Sequence, residues 1–197
     1  RFTLPRIVLP RPVASSGLVF AIVKDKLVAL DALTGKVARE FAGSSRPLEF
    51  VHDGSHLVAV DDTSVRAYDT RTGAQLWSSK ASEPRNVAVG HGLVTLISGR
   101  ARRGETPEAV ALDLATGAIK WRRGDFNWLF DVTRTVLHAD QLAFEISTLN
   151  DHDAGNAVRI VSSQTGEPLW DKAFPPGMNH RRQARAMFLD SGLWILH

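Results

Sequence analysis

Seven arginines hold most of the binding chemistry that this chain displays. Arg46, Arg85, Arg100, Arg102, Arg103, Arg181 and Arg182 all fall in turn-rich segments, and a guanidinium grips a carboxylate or phosphate with two parallel donors. Gathered on one surface, they would form an anion-attracting rim. Scattered, they would be solvated cations facing Glu105, Asp125, Asp151 and Asp153 from the same segments, and surface pairs of that kind contribute little. The sequence leaves both readings open. His180 precedes Arg181, and Asn127 and Trp128 occupy another turn-rich segment. The Trp128 indole suits either stacking on a ligand or packing against neighbouring structure.

Metal chemistry has less support. Asp151-His152-Asp153-Ala154-Gly155-Asn156 places two carboxylates before a glycine. A calcium loop needs a further oxygen ligand before that glycine and a closing glutamate, so the segment reads as a polar turn. His138, His152, His180 and His197 lack His-x-x-x-His spacing, the pattern that sets two ligands on one metal. The chain has no cysteine, which excludes disulfides, thiolate ligands and thiol nucleophiles but leaves the compartment open. No metal and no catalytic residue is expected.

Composition narrows the class. With 197 residues, 44% apolar and 23% charged, the chain is expected to fold as a globular protein. Lys and Arg total 24 against 21 Asp and Glu, a net charge of +3 without a basic run. Nucleic acid is therefore not an expected partner, because phosphate binding needs a concentrated positive footprint. The apolar runs are strand-length, so no membrane-spanning helix is expected in this segment. The first residue is Arg1, with neither a start methionine nor a signal peptide, and the chain reads as processed or excerpted from something longer.

The elements that must position these residues repeat. Ala29 to Arg39, Ala67 to Trp77, Ala111 to Trp121 and Ile160 to Trp170 share one pattern: a short apolar strand, a Thr-Gly turn, and a second strand. The second strand carries a bulky residue four positions after Gly35, Gly73, Gly117 or Gly166. The turn residues Thr34, Thr72, Thr116 and Thr165 are 38, 44 and 49 residues apart, the range of four-stranded propeller blades. Units over residues 12–43, 46–80, 85–123 and 131–174 each hold four short β-rich runs, and a fifth starts at 185–197. The fold class is all-β, a β-propeller of antiparallel blades with about four and a half present. Trp77, Trp121 and Trp170 are expected in equivalent places on outer strands, each reaching the adjoining blade. The loops left free to vary lie on one rim, formed by the strand 2–3 turns and the blade junctions, and variable loops on a repeated scaffold are where binding concentrates.

These motifs resemble the docking pattern Ala-x-Asp-x-x-Thr-Gly-x-x-x-Trp of quinoprotein-type (PQQ-like) β-propeller repeats. Ala67, Asp69, Thr72, Gly73 and Trp77 match it, as do Ala111, Asp113, Thr116, Gly117 and Trp121. The first unit has Arg39 in place of tryptophan, and the fourth keeps Thr165, Gly166 and Trp170. The resemblance implies a ring of seven or eight blades, of which this chain is read as a fragment, and a periplasmic or extracellular location. The family includes alcohol dehydrogenases that use PQQ with calcium, cofactor-free members of outer-membrane protein assembly, and sensor domains of kinases. The dehydrogenases imply a vicinal cysteine pair, a tryptophan platform and acidic and asparagine calcium ligands, and no residues here match those motifs. The expected function is a non-catalytic scaffold engaging a protein, peptide or small ligand, without a cofactor, alongside further blades of the parent chain. A PQQ/Ca-dependent dehydrogenase and a receptor or kinase sensor domain are the alternatives.

Overall fold

The computed structural model describes residues 11–99, 106–147, 156–173, 185–189 and 192–196. The first sheet runs in order through β1 (Val13–Ser15), β2 (Leu18–Val23), β3 (Lys26–Asp31) and β4 (Val37–Ser45). The second comprises β5 (Glu49–His52), β6 (His56–Val60), β7 (Ser64–Asp69) and β8 (Gln75–Lys80). The third comprises β9 (Arg85–Gly90), β10 (Leu93–Ser98), β11 (Glu108–Asp113) and β12 (Ile119–Arg123). In the fourth, β13 (Val132–His138), β14 (Gln141–Ser147), β15 (Asn156–Ser162) and β16 (Pro168–Ala173) follow a single 3-10 turn at Leu129–Asp131. A two-stranded sheet of β17 (Arg185–Leu189) and β18 (Gly192–Leu196) starts the next unit. Every pairing is between antiparallel neighbours in sequence.

Strand alternation explains how the sheets stack. Successive side chains point to opposite faces, so a sheet with neighbours on both sides needs apolar residues at nearly every central position. In β10, Leu93 to Ile97 are all buried, and in β14 so are Leu142 to Ile146. Val58, Val65 and Ala67 of sheet two pack with Val94, Leu96 and Leu112 of sheet three. Ile97, Ala109 and Trp121 of sheet three meet Leu142, Phe144 and Val161 of sheet four. Phe20 and Phe41 of sheet one meet Phe50 and Tyr68 of sheet two. The first strands β5, β9, β13 and β17 lie in contact in succession, as the inner strands of propeller blades do.

Two carboxylates tie neighbouring sheets together. Glu49 of β5 accepts the Val87 N–H of β9 at 3.1 Å, and burial raises its pKa. Glu145 of β14, fully buried, accepts the Ala186 N–H of β17 at 2.8 Å and pairs with Arg134 at 3.0 Å. Removing the acceptor would strand a buried donor, so Glu145→Leu is expected to cost about 1–3 kcal/mol in urea unfolding.

Three of the four Thr-Gly turns are built the same way, the fourth having Ser162 in place of the aspartate. Asp113 Oδ1 accepts the N–H of Ala115 at 3.1 Å and of Thr116 at 3.0 Å, and the Thr116 hydroxyl at 2.9 Å. Asp31 with Thr34 and Asp69 with Thr72 repeat it, and the threonine hydroxyl leads in lowering the pKa of all three carboxyls. The glycines take φ of +69, +77, +72 and +73°, a region that penalises any Cβ. Asp61 makes a tighter turn. Burial works to raise its pKa, but bonds from Arg66, Thr63 and Ser64 outweigh it and hold the carboxyl at about 2. A depressed carboxyl contributes stability that is present above its unfolded pKa and lost as pH falls through the folded one. Thermal melts of Asp61→Asn should therefore show a lower melting temperature near neutrality and a shallower decline between about pH 4 and pH 2.

Candidate functional site

The repeat motif is consumed in joining sheets. Trp77, 8% exposed, donates Nε1–H to Leu114 O at 2.7 Å in sheet three. Its ring lies so close over Gly117 that a Cβ there would stand 2.6 Å from Cδ2 and Cε3. Trp121 repeats this on sheet four, with Nε1–H to Ser163 O at 2.7 Å and its ring over Gly166. In the first unit the Arg39 stem lies over Gly73. Trp170 stands in the same register as its two counterparts, opposite Ile160 of β15, and is 41% exposed. Among the described residues, nothing lies within 4 Å of a Cβ on Gly35.

The residues singled out for the rim have different fates. Arg46 is exposed, in a positive-φ turn whose N–H donates to Asp25 O. Arg85 donates Nη1–H to Gly99 O at 2.6 Å and Nη2–H to Leu129 O at 3.0 Å, which clamps sheet three to the start of sheet four. Asn127 is exposed. Trp128 stacks on Phe126 at 4.8 Å, meets the Phe144 edge at 5.1 Å and lies under the Arg159 guanidinium at 5.4 Å. Of its two readings, the geometry supplies packing. Asp125 is taken by Arg123 at 2.7 Å, which also bridges to Glu167 at 2.8 Å in sheet four; Arg123 holds the Asp125 carboxyl at about 2. Arg100, Arg102, Arg103, Asp151, Asp153, His180, Arg181 and Arg182 lie outside the described residues.

What the rim does present is a cleft of about 680 Å³ between sheets two and three, lined by Asp62, Thr63, Lys80, Ser82, Glu108 and Arg122. Arg122 pairs with Glu108 at 3.0 Å. Its floor is fixed by reciprocal bonds, Ser82 N–H to Ser98 Oγ and Ser98 Oγ–H to Ser82 O, both 3.2 Å. No sequence motif marks these residues, which sit at strand ends and single turns. Their one signal was position beside the insertion that begins at Gly99. A smaller groove of about 290 Å³ lies under Trp128, Arg159 and Leu169. Among the described residues no three His, Asp or Glu side chains stand together as a metal site requires, and no helix is long and apolar enough to cross a membrane.

Residues 5–124 and 61–197 match the family described as outer membrane protein assembly factor BamB. The chain belongs to that family. BamB from Moraxella catarrhalis is similar in structure, with 16% identity and a TM-score of 0.65 over 98% of this chain and 59% of its own. The quinohemoprotein alcohol dehydrogenase ADHIIG from Pseudomonas putida HK5 gives 15% identity and 0.63 over 95% and 38%. Kuenenia stuttgartiensis hydrazine synthase gives 13% and 0.65 over 91% and 52%. No curated protein matches in sequence. At these identities the structural likeness establishes the β-propeller fold alone, and this BamB-family chain spans 59% or less of each structure.

Proposed function

We propose that this BamB-family chain is a non-catalytic propeller scaffold that engages a protein or peptide partner through the rim cleft between sheets two and three, outside the cytoplasm. The observation that carries the reading is the cleft itself. It is wide, mixed in charge through Lys80, Arg122, Asp62 and Glu108, and floored by backbone and serine hydroxyls. Such a surface suits a polar segment of another chain rather than an enclosed small substrate. Family membership supports a protein partner, and further blades of a parent chain would extend the same rim.

The family's quinoprotein branch supplies the second reading. PQQ held with calcium calls for several oxygen ligands around one cation, and the described residues offer no such group. Two measurements test the proposal. A photo-crosslinking residue at Lys80 or Arg122 should give a discrete adduct with an envelope protein, and one at Lys36 on the opposite rim should not; equal capture at both would contradict it. Titration with PQQ and calcium should leave tryptophan fluorescence unsaturated, whereas saturable quenching with dye-linked alcohol oxidation would overturn the scaffold reading.

A further inference from the structure

Where the first unit departs from the repeat, it leaves a cavity. Trp77 and Trp121 fill the junctions they serve and place their indole N–H on a turn carbonyl. Arg39 occupies the same repeat position between sheets one and two but makes no corresponding bond to the Thr70 carbonyl. Its Nη1 is enclosed and has no hydrogen-bond partner among the described residues. Beside it lies a cavity of about 290 Å³ lined by Arg39, Arg71, His52, Ser15, Ser16 and Phe20.

The lining has a consistent character. It contains two guanidinium groups, two serine hydroxyls and a histidine, and no carboxylate. Arg39 has no ion-pair partner among the described residues, in contrast to Arg66, Arg122, Arg123, Arg134 and Arg159, and Arg71 feels only the nearby Asp69 carboxylate without a close ion pair. The Gly54 N–H donates to His52 Nδ1 at 3.3 Å, which leaves Nε2 as the protonated, donating nitrogen of the neutral ring. One wall is apolar: Leu18 is partly exposed there, while Phe20 is covered, its ring 4.9 Å from the imidazole. An enclosed unpaired donor calls for an acceptor, and paired guanidinium groups favour an oxyanion.

We propose that this junction is a binding site for a small organic carboxylate. Arg39 and Arg71 take the two oxygens, His52 and the serines supply further donors, and an aryl or alkyl body rests against Leu18. The volume is at the lower end for ligand pockets, which excludes long ligands. The site lies on the rim of the strand 1–2 and 3–4 turns, opposite the partner cleft, and does not depend on it.

The test is NMR titration of the full chain with benzoate, acetate and inorganic phosphate, read at the backbone amides of Phe20, His52 and Arg71. Benzoate should bind saturably, with acetate and phosphate weaker by about fivefold or more, since only benzoate uses the apolar wall. Arg39→Trp installs the residue that fills the equivalent junctions and should weaken benzoate at least about tenfold with the fold retained. The exposed Arg71→Gln change should do so too, which keeps the test valid if Arg39→Trp misfolds. Shifts that do not saturate, phosphate binding tighter than benzoate, or affinity unchanged in Arg71→Gln would each overturn the proposal.

Discussion

Gly117→Ala destabilises the protein by about 2–5 kcal/mol in urea unfolding, while Gly35→Ala costs about 1–2 kcal/mol. Both glycines sit at nearly the same left-handed φ, +72° and +69°, so both changes incur the backbone penalty of about 1–2 kcal/mol for an L-residue there. They differ in what the new methyl meets. At Gly35 nothing among the described residues lies within 4 Å, whereas at Gly117 the methyl would stand 2.6 Å from two carbons of Trp77. The indole cannot retreat without losing its bond to Leu114 O, and overpacking of this kind adds about 1–3 kcal/mol. In a repeat architecture such a loss belongs to one interface between neighbours. Hydrogen exchange in Gly117→Ala should therefore rise first where sheet two meets sheet three.

Trp121→Ala costs about 3–5 kcal/mol, as large truncations in packed cores do, and in this 197-residue chain Trp170→Ala costs about 1 kcal/mol or less, as surface changes do. The sequence makes these two residues look alike: each stands four positions after the glycine of a Thr-Gly turn. The structure separates them. Trp121 is 8% exposed, over Gly166 and bonded to Ser163 O, while Trp170 is 41% exposed. Paired urea melts of the two variants, with the parent as reference, check the contrast; equal losses would contradict it.

The strands were legible because alternating apolar residues and Thr-Gly turns repeat at blade-like intervals, and four four-stranded antiparallel sheets stand where those patterns lie. The 3-10 turn at Leu129–Asp131 was not legible, being three residues long without a periodic signal. The site was much less so. A residue type announces what a side chain can do, but not what it is already doing. Arg85 looked like a free cation, yet it spends its donors on the carbonyls of Gly99 and Leu129. Trp128 is held by Phe126 and Phe144. The rim cleft, by contrast, is made by Ser82, Lys80 and Arg122, whose importance comes from where two sheets diverge rather than from any local motif. Arg39 was visible as a departure from the pattern, but the cavity beside it required knowing that the tryptophans at equivalent junctions fill theirs.

The claim beneath all of this is that the tryptophan and glycine of the repeat serve to dock one sheet on the next, which leaves binding to the rims. A double-mutant cycle on Trp121→Leu and Gly166→Ala tests it most directly. In the parent, a methyl at Gly166 would meet Trp121 Cε3 at 2.8 Å; with leucine at 121 that collision is relieved. The account predicts that the two losses fall short of additivity by about 1–3 kcal/mol, whereas losses that add to within about 0.5 kcal/mol would contradict it.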